Sequence, residues 1–222
     1  MNTDARMGVN NAREFQFLAC SGATSPQILA NQVPQIKDGV QVITVTAGGN
    51  DAGFANVLLK CIYPVFGKSI PLCDRALSDA GDVIRSTVFK ENVKSLISGA
   101  LAKLGADGRL YYVGYAPFFD TQSTQCNEVS WSTADLDRLV GSSSAKLSTS
   151  IRQQINVLVS QANAILDELS QASGDNVVFV DYSGWVSQVG GRFCEEGIKE
   201  SYGNNPDLFF YEWGTVDHVS PN

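Results

Sequence analysis

A glycine-rich turn, Gly48-Gly49-Asn50-Asp51, follows the apolar run Val40 to Ala47 and precedes Ala52-Gly53-Phe54-Ala55, which reads as a helix start. Glycines let a backbone reverse sharply and approach a ligand closely. An asparagine at such a turn can aim an N–H at developing negative charge. The turn lacks the G-x-G-x-x-G spacing of a dinucleotide site, and no P-loop lysine follows it, which argues against nucleotide binding. A second turn, Cys20-Ser21-Gly22-Ala23-Thr24, ends the segment Phe15 to Ala19 and, alone, reads as a tight strand-to-helix turn. His218 is the single histidine, with Asp217 beside it. If serine–histidine chemistry operates, His218 is the base.

Cysteines stand at 20, 61, 73, 126 and 194, with no C-x-x-C spacing, so no structural zinc site is expected. Cys61 and Cys73 flank a segment holding Pro64, Gly67 and Pro71, which suits a small disulfide loop. Cys126 and Cys194 both lie in polar, loop-like surroundings and can pair over a long separation, leaving Cys20 over. Five buried thiols are the alternative. Loop placement favours an oxidised, secreted framework.

The elements that must position these residues alternate. Strands are expected at Phe15 to Ala19, Val40 to Ala47, Leu110 to Tyr115 and Val177 to Asp181. Helices are expected from Ser25-Pro26 to Ile36, Gly53 to Cys61, Asp82 to Leu104 and Leu147 to Leu169. The loop Ala116 to Ser130 and the segment after Tyr182 read as irregular. Such a βαβαβαβ order implies a parallel sheet with helices on both faces. Ligands in such sheets bind outside the carboxyl ends of the strands. Here those ends are Cys20 to Gly22, Gly48 to Asp51, Tyr115 to Pro117 and Asp181-Tyr182.

The chain has 222 residues, 44% hydrophobic and 18% charged, with net charge −7. One domain, 1–222, is expected. The negative charge disfavours nucleic acid and anionic membranes as partners. No stretch has the roughly 20 apolar residues of a transmembrane helix, and the polar start Met1 to Arg6 carries no signal peptide.

Taken in order, Cys20-Ser21-Gly22 and Gly48-Gly49-Asn50-Asp51, with Tyr112 to Phe118 and Gly191-Arg192-Phe193-Cys194-Glu195, resemble the SGNH (GDSL-type) hydrolases, in particular their secreted microbial esterase and lipase branch. The resemblance implies a three-layer α/β/α fold with a flavodoxin-like parallel sheet in strand order 2-1-3-4-5, missing its first strand here. It implies an ester hydrolase acting on lipid, small-alcohol or acetylated-sugar esters, with no cofactor, as a secreted monomer. It places Gly22 and Asn50 in an oxyanion hole, supported by Gly49 and Asp51, with His218 as base. Thr215 stands where that pattern has its aspartate.

The same resemblance expects a Gly-Asp-Ser nucleophile upstream of Cys20. No such segment occurs: Gly81-Asp82 runs into Val83, and Gly174-Asp175 into Asn176. Two expectations follow from that departure. The domain is expected to be incomplete at its N-terminus and, with an abrupt end after His218, at its C-terminus, with the partner of Cys20 upstream and the region 1–30 partly disordered. This chain alone is then inactive, or it is a pseudoenzyme serving as a binding module. The loops around Tyr63 to Leu72 and Phe118 to Trp131, with Tyr63, Phe66, Phe118, Phe119 and Trp131, are candidates to shape an acyl pocket.

Overall fold

The computed structural model describes residues 14–62, 70–128 and 147–197. Three parallel strands form one sheet in the order β1-β2-β3: β1 Val40–Val45, β2 Leu104–Val113 and β3 Val177–Val180. Among the described residues six α-helices accompany it: α1 Ser25–Asn31, α2 Phe54–Val57, α3 Ile70–Arg85, α4 Thr87–Leu101, α5 Thr149–Gln171 and α6 Ser183–Val189. A wider helical turn, Leu58–Ile62, continues α2.

Residues alternate across a strand, so burial shows which face of the sheet is covered. Leu110, Tyr112 and Val177 are buried and share a core with Phe89, Val93, Leu96 and Ile97 of α4 and Leu166 of α5. The opposite face holds no buried residue: Val42 is 59% exposed, Thr44 and Arg109 are exposed, and Tyr111, Val113, Val178 and Val180 are half-buried. Among the described residues the molecule is therefore two-layered at the sheet. This corrects the expected three-layer α/β/α, flavodoxin-like architecture and the expectation that β1 is covered on both faces. An apolar strand sequence reports hydrophobicity, not which partner supplies the cover.

The Phe15 to Ala19 segment is another correction. It forms no strand, Phe15 and Phe17 are 52% and 76% exposed, and no ladder partner lies beside it. Its ties are side-chain ones: the Gln16 amide donates to Gln35 O (3.2 Å) and accepts from Lys37 N (3.1 Å). A strand needs a neighbour's backbone, and alternation in sequence cannot provide one.

The expected helix Asp82 to Leu104 is two helices. Ser86 breaks the chain between α3 and α4 by capping α4: its Oγ accepts from Phe89 N (3.1 Å) and donates to Val83 O (2.7 Å). The helix α3 begins well before Asp82 and buries Cys73, Ala76, Leu77, Ala80 and Ile84 at helical spacing. Leu104 belongs to β2, whose register against β1 shifts between Val40 and Val42. The segment after Tyr182, expected to be irregular, contains α6.

Candidate functional site

The Gly48 to Asp51 turn leaves β1 at its carboxyl end. Gly48 has φ 111°, a left-handed value, and a Cβ there would stand 3.2 Å from the Phe89 ring. Both conformation and space thus require glycine. Gly49 lies as close to Tyr115, just past β2, and donates its N–H to the Tyr115 hydroxyl (2.9 Å).

This turn is joined to the Cys20–Ser25 segment by three further bonds. The Asn50 side-chain amide donates to Ala23 O (3.0 Å). Asp51 Oδ2 accepts from the Ser25 N–H (2.8 Å) and from the Ser25 hydroxyl (3.0 Å). Ser25 is fully buried. The structure thus brings together Gly22, Gly49, Asn50 and Asp51, the sequence-predicted residues of two separate turns. Gly22 has φ 80° and is exposed beside Ala23. A groove of about 370 Å³ runs along Cys20, Ser21, Gly22 and Ala23.

Tyr115 and Tyr112 sit behind the turn. Burial, opposed by the Gly49 N–H and reinforced by the negative charge of Asp51, pushes the Tyr115 hydroxyl up to about 12. Burial also drives Tyr112 well above its ordinary value, and its hydroxyl donates to Ala47 O (3.1 Å). Both phenols stay protonated at neutral pH, which suits hydrogen bonding to the turn rather than proton transfer. The sequence places both tyrosines in the expected third strand, Tyr115 at its end, but gives no sign of their bonds to Ala47 and Gly49.

A second hollow, about 440 Å³, opens between α5, β3 and α6, lined by Pro117, Asn163, Asp167, Phe179, Asp181 and Ser183 among others. It touches two of the expected strand ends, after β2 and after β3. The expected pocket aromatics divide. Phe119 is 1% exposed, and Phe118 stacks on Phe54 with centroids 4.8 Å apart. Tyr63, Phe66 and Trp131 lie outside the described residues, as do His218 and Asp217. Cys61 is joined to Cys73 and Cys126 to Cys194, while Cys20 is free and exposed. Among the described residues no group of three or more His, Cys, Asp or Glu side chains could hold a metal ion, and no helix is long and apolar enough to cross a membrane.

No family model matches the chain. A 47-residue stretch, 21% of the chain and 18% of its relative, is 45% identical to a lipase of Streptomyces rimosus. A 110-residue stretch, 50% of the chain and 39% of the relative, is 26% identical to Lipase 1 of Streptomyces coelicolor. These matches span less than half of either curated relative. Two solved structures resemble the fold. The extracellular lipase of S. rimosus gives a TM-score of 0.64 at 23% identity, over 82% of this chain and 66% of that one. Phospholipase A1 of Streptomyces albidoflavus gives 0.67 at 21% identity, over 91% and 70%.

These findings correct the family reading. With no family model matched and relatives named as lipases, the SGNH (GDSL-type) label gives way to the description the comparisons carry, a likeness to secreted lipases. The expectation of an inactive chain or pseudoenzyme, drawn from the missing Gly-Asp-Ser segment, is corrected with it. That expectation depended on the family label, and the relatives are named for their activity.

Proposed function

We propose that this chain is, or belongs to, a secreted lipase-type hydrolase that cleaves carboxylic esters of lipids. The observation that carries the reading is the 47-residue stretch that is 45% identical to a lipase of S. rimosus, and the fold shared with an extracellular lipase of that organism supports it. The two disulfides support an oxidising compartment.

The turn at the end of β1 is the proposed place for the ester carbonyl. The Asn50 amide nitrogen carries two hydrogens. One is donated to Ala23 O, which fixes the amide plane, and Asn50 itself is exposed. The second N–H is the proposed donor to the carbonyl oxygen. A fixed donor is worth most when that oxygen gains charge as a nucleophile adds. The proposed base is His218, the one imidazole in the sequence.

The test is turnover of p-nitrophenyl butyrate and of emulsified triacylglycerol by the protein as the cell makes it. The expected result is hydrolysis that falls about a hundredfold in kcat in Asn50→Ala, with little change in KM. Unaltered turnover in that variant would remove Asn50 from the site. No turnover of any acyl ester would remove the function.

A further inference from the structure

The hollow between α5, β3 and α6 contains none of the turn residues proposed to meet the ester, and its wall has a one-sided polar balance. Its volume of about 440 Å³ lies in the range of small-ligand sites. It opens past the carboxyl ends of β2 and β3, where parallel sheets bind ligands. Two carboxylates, Asp167 and Asp181, line it, and no lysine, arginine or histidine does.

The hydrogen bonds sharpen that balance. Asp167 Oδ1 accepts from the Gln171 amide (2.8 Å) and Asp181 Oδ1 from Ser183 N (2.8 Å), so each acid keeps its second oxygen. The hydroxyls of Ser160 and Ser187 donate to Asn156 O (3.1 Å) and Ser183 O (3.0 Å), which leaves their oxygens as acceptors. Asn163, 8% exposed, commits both ends of its amide to the Tyr115 backbone. Arg192 reaches Ser187 Oγ at 3.5 Å, but its charge is met by Glu195 and Asp120. Neither Asp167 nor Asp181 has an ion-pair partner among the described residues.

We propose that this hollow binds a primary ammonium group on a short alkyl stem. A wall that is negative and rich in acceptors repels phosphates and carboxylates. A primary ammonium brings three N–H donors and a positive charge, and so answers both properties. Val159 and Phe179 give the stem an apolar side, and an aromatic face favours a cation over a neutral polyol. A bare metal ion fits less well, since no third acid, histidine or cysteine joins the pair among the described residues. The aminoalkyl group has two sources, a lipid head group or a free small amine. Asn163 of the wall holds Tyr115, whose hydroxyl takes the Gly49 N–H, so one residue ties the hollow to the turn. Use of the group as part of a substrate rests on the proposed ester cleavage; binding does not.

The experiment titrates ethanolamine into the ¹⁵N-labelled full chain at fixed ionic strength and follows the amides of residues 160–187. Saturable shifts are expected at Asp167, Asp181 and their neighbours, with affinity no tighter than about millimolar for so small a probe. Choline keeps the charge without an N–H, and ethylene glycol keeps donors without the charge. Each is expected to bind at least about tenfold more weakly. Acetate is expected to leave these amides unmoved. The double variant Asp167→Asn with Asp181→Asn keeps acceptors for Gln171 and Ser183, so its unfolding midpoint should hold while ethanolamine affinity falls about tenfold or more. Equal binding of ethanolamine and choline, or of ethanolamine and ethylene glycol, overturns the proposal. So do undiminished binding in the double variant and an absence of shifts along 160–187.

Sedimentation with vesicles of phosphatidylcholine, with and without phosphatidylethanolamine, separates the two sources. Capture only by the mixed vesicles, lost in the double variant, supports the site and makes its ligand a lipid head group. Capture by neither, with the ethanolamine shifts intact, supports it and makes the ligand a free amine. Ester hydrolysis is measured beside the titration. A chain that binds ethanolamine and cleaves no ester keeps this site and loses the proposed function, and the reverse result does the opposite.

Discussion

Around the sheet, the core is drawn from regular elements: Leu110 and Tyr112 of β2, Phe89, Val93 and Leu96 of α4, Leu166 of α5. Around Phe119 and Phe193 residues of α2, α3 and α5 are joined by Phe119, Leu147, Phe193 and Cys194 from outside the regular elements, with both disulfides inside the cluster. The first region satisfies its backbone through strand ladders and helices, so apolar packing can do the rest. The second has one isolated bridge, Phe119 to Phe193, and must satisfy loop carbonyls by other means. Arg152 supplies them. Fully buried, its guanidinium donates to the carbonyls of Leu147 (3.1 Å), Asp120 and Ser123 (2.7 Å). Asn156, one turn on, donates to Phe119 O (2.7 Å) and accepts from Phe119 N (3.3 Å). Asn163, two turns further, does the same for Tyr115. A row of polar residues on α5, with Arg152 and Asn163 buried and Asn156 half-buried, and covalent cross-links thus stand in for the secondary structure that the loops lack.

If that contrast is right, the largest effect belongs to Arg152. Arg152→Met keeps volume and deletes every donor, leaving the buried Leu147 and Asp120 carbonyls and the half-buried Ser123 carbonyl without one, at about 1–3 kcal/mol for each buried group. A loss on the order of 5 kcal/mol is expected in urea unfolding, with protection lost first in residues 116–128. A uniform loss spread over the sheet amides would erase the distinction between the regions.

Next comes the longer disulfide. Cys126 and Cys194 are 68 residues apart, against 12 for Cys61 and Cys73. Chain entropy gives about 4 kcal/mol for the longer loop and about 3 for the shorter. Paired serine variants should rank in that order. Reductant should unfasten the loop region while β1, β2 and α4 keep their exchange protection.

Alkali should do the reverse. Tyr115 ionises at about 12 in the fold and near 10 when unfolded. Between these values the unfolded chain has given up a proton that the folded one still holds, so stability is intact below about pH 10 and declines as pH rises to about 12. The two-unit gap corresponds to roughly 2–3 kcal/mol. Tyr112, displaced in the same direction, adds to the decline. Tm followed from pH 9 to 12 should show it, and Tyr115→Phe should flatten it. A slope that survives in Tyr115→Phe and Tyr112→Phe together would place the alkaline sensitivity outside the sheet region.

The same contrast explains what could be read from sequence. The strands β1 and β3 and the helix α5 announce themselves by apolar runs and by spacing such as Ile155, Val159 and Leu166. The two turns of the candidate site were visible because their glycines and asparagine mark turns, although only the Gly48 turn follows a strand. The contacts that join those turns were not. Ser25 meets Asp51 across 26 residues, and Gly49 meets Tyr115 across 66, pairings that no local pattern encodes. Arg152, Asn156 and Asn163 also share a face of α5, yet in sequence a polar residue on a helix reads as solvent-facing. The bare face of the sheet was illegible for the opposite reason. Val42 is as apolar as a covered residue, and only its neighbours decide its exposure.

The smallest effect tests whether the sheet region depends on a local signal at all. Ser86 separates α3 from α4, and its hydroxyl both caps Phe89 N and closes onto Val83 O. Ser86→Ala removes one capping bond and is expected to cost about 1 kcal/mol, since the packing of Phe89 against the Gly48 turn remains to hold the helix start. Ser86→Gly, which loses the same bond but fits a cap conformation, should cost only about a few tenths of a kcal/mol. A loss beyond about 3 kcal/mol in Ser86→Ala would be the size expected of emptying the Phe89 site. It would mean that the cap, and not the apolar face of α4, fixes where that helix lies on the sheet, which would make the sheet region as dependent on single polar contacts as the loops held by Arg152.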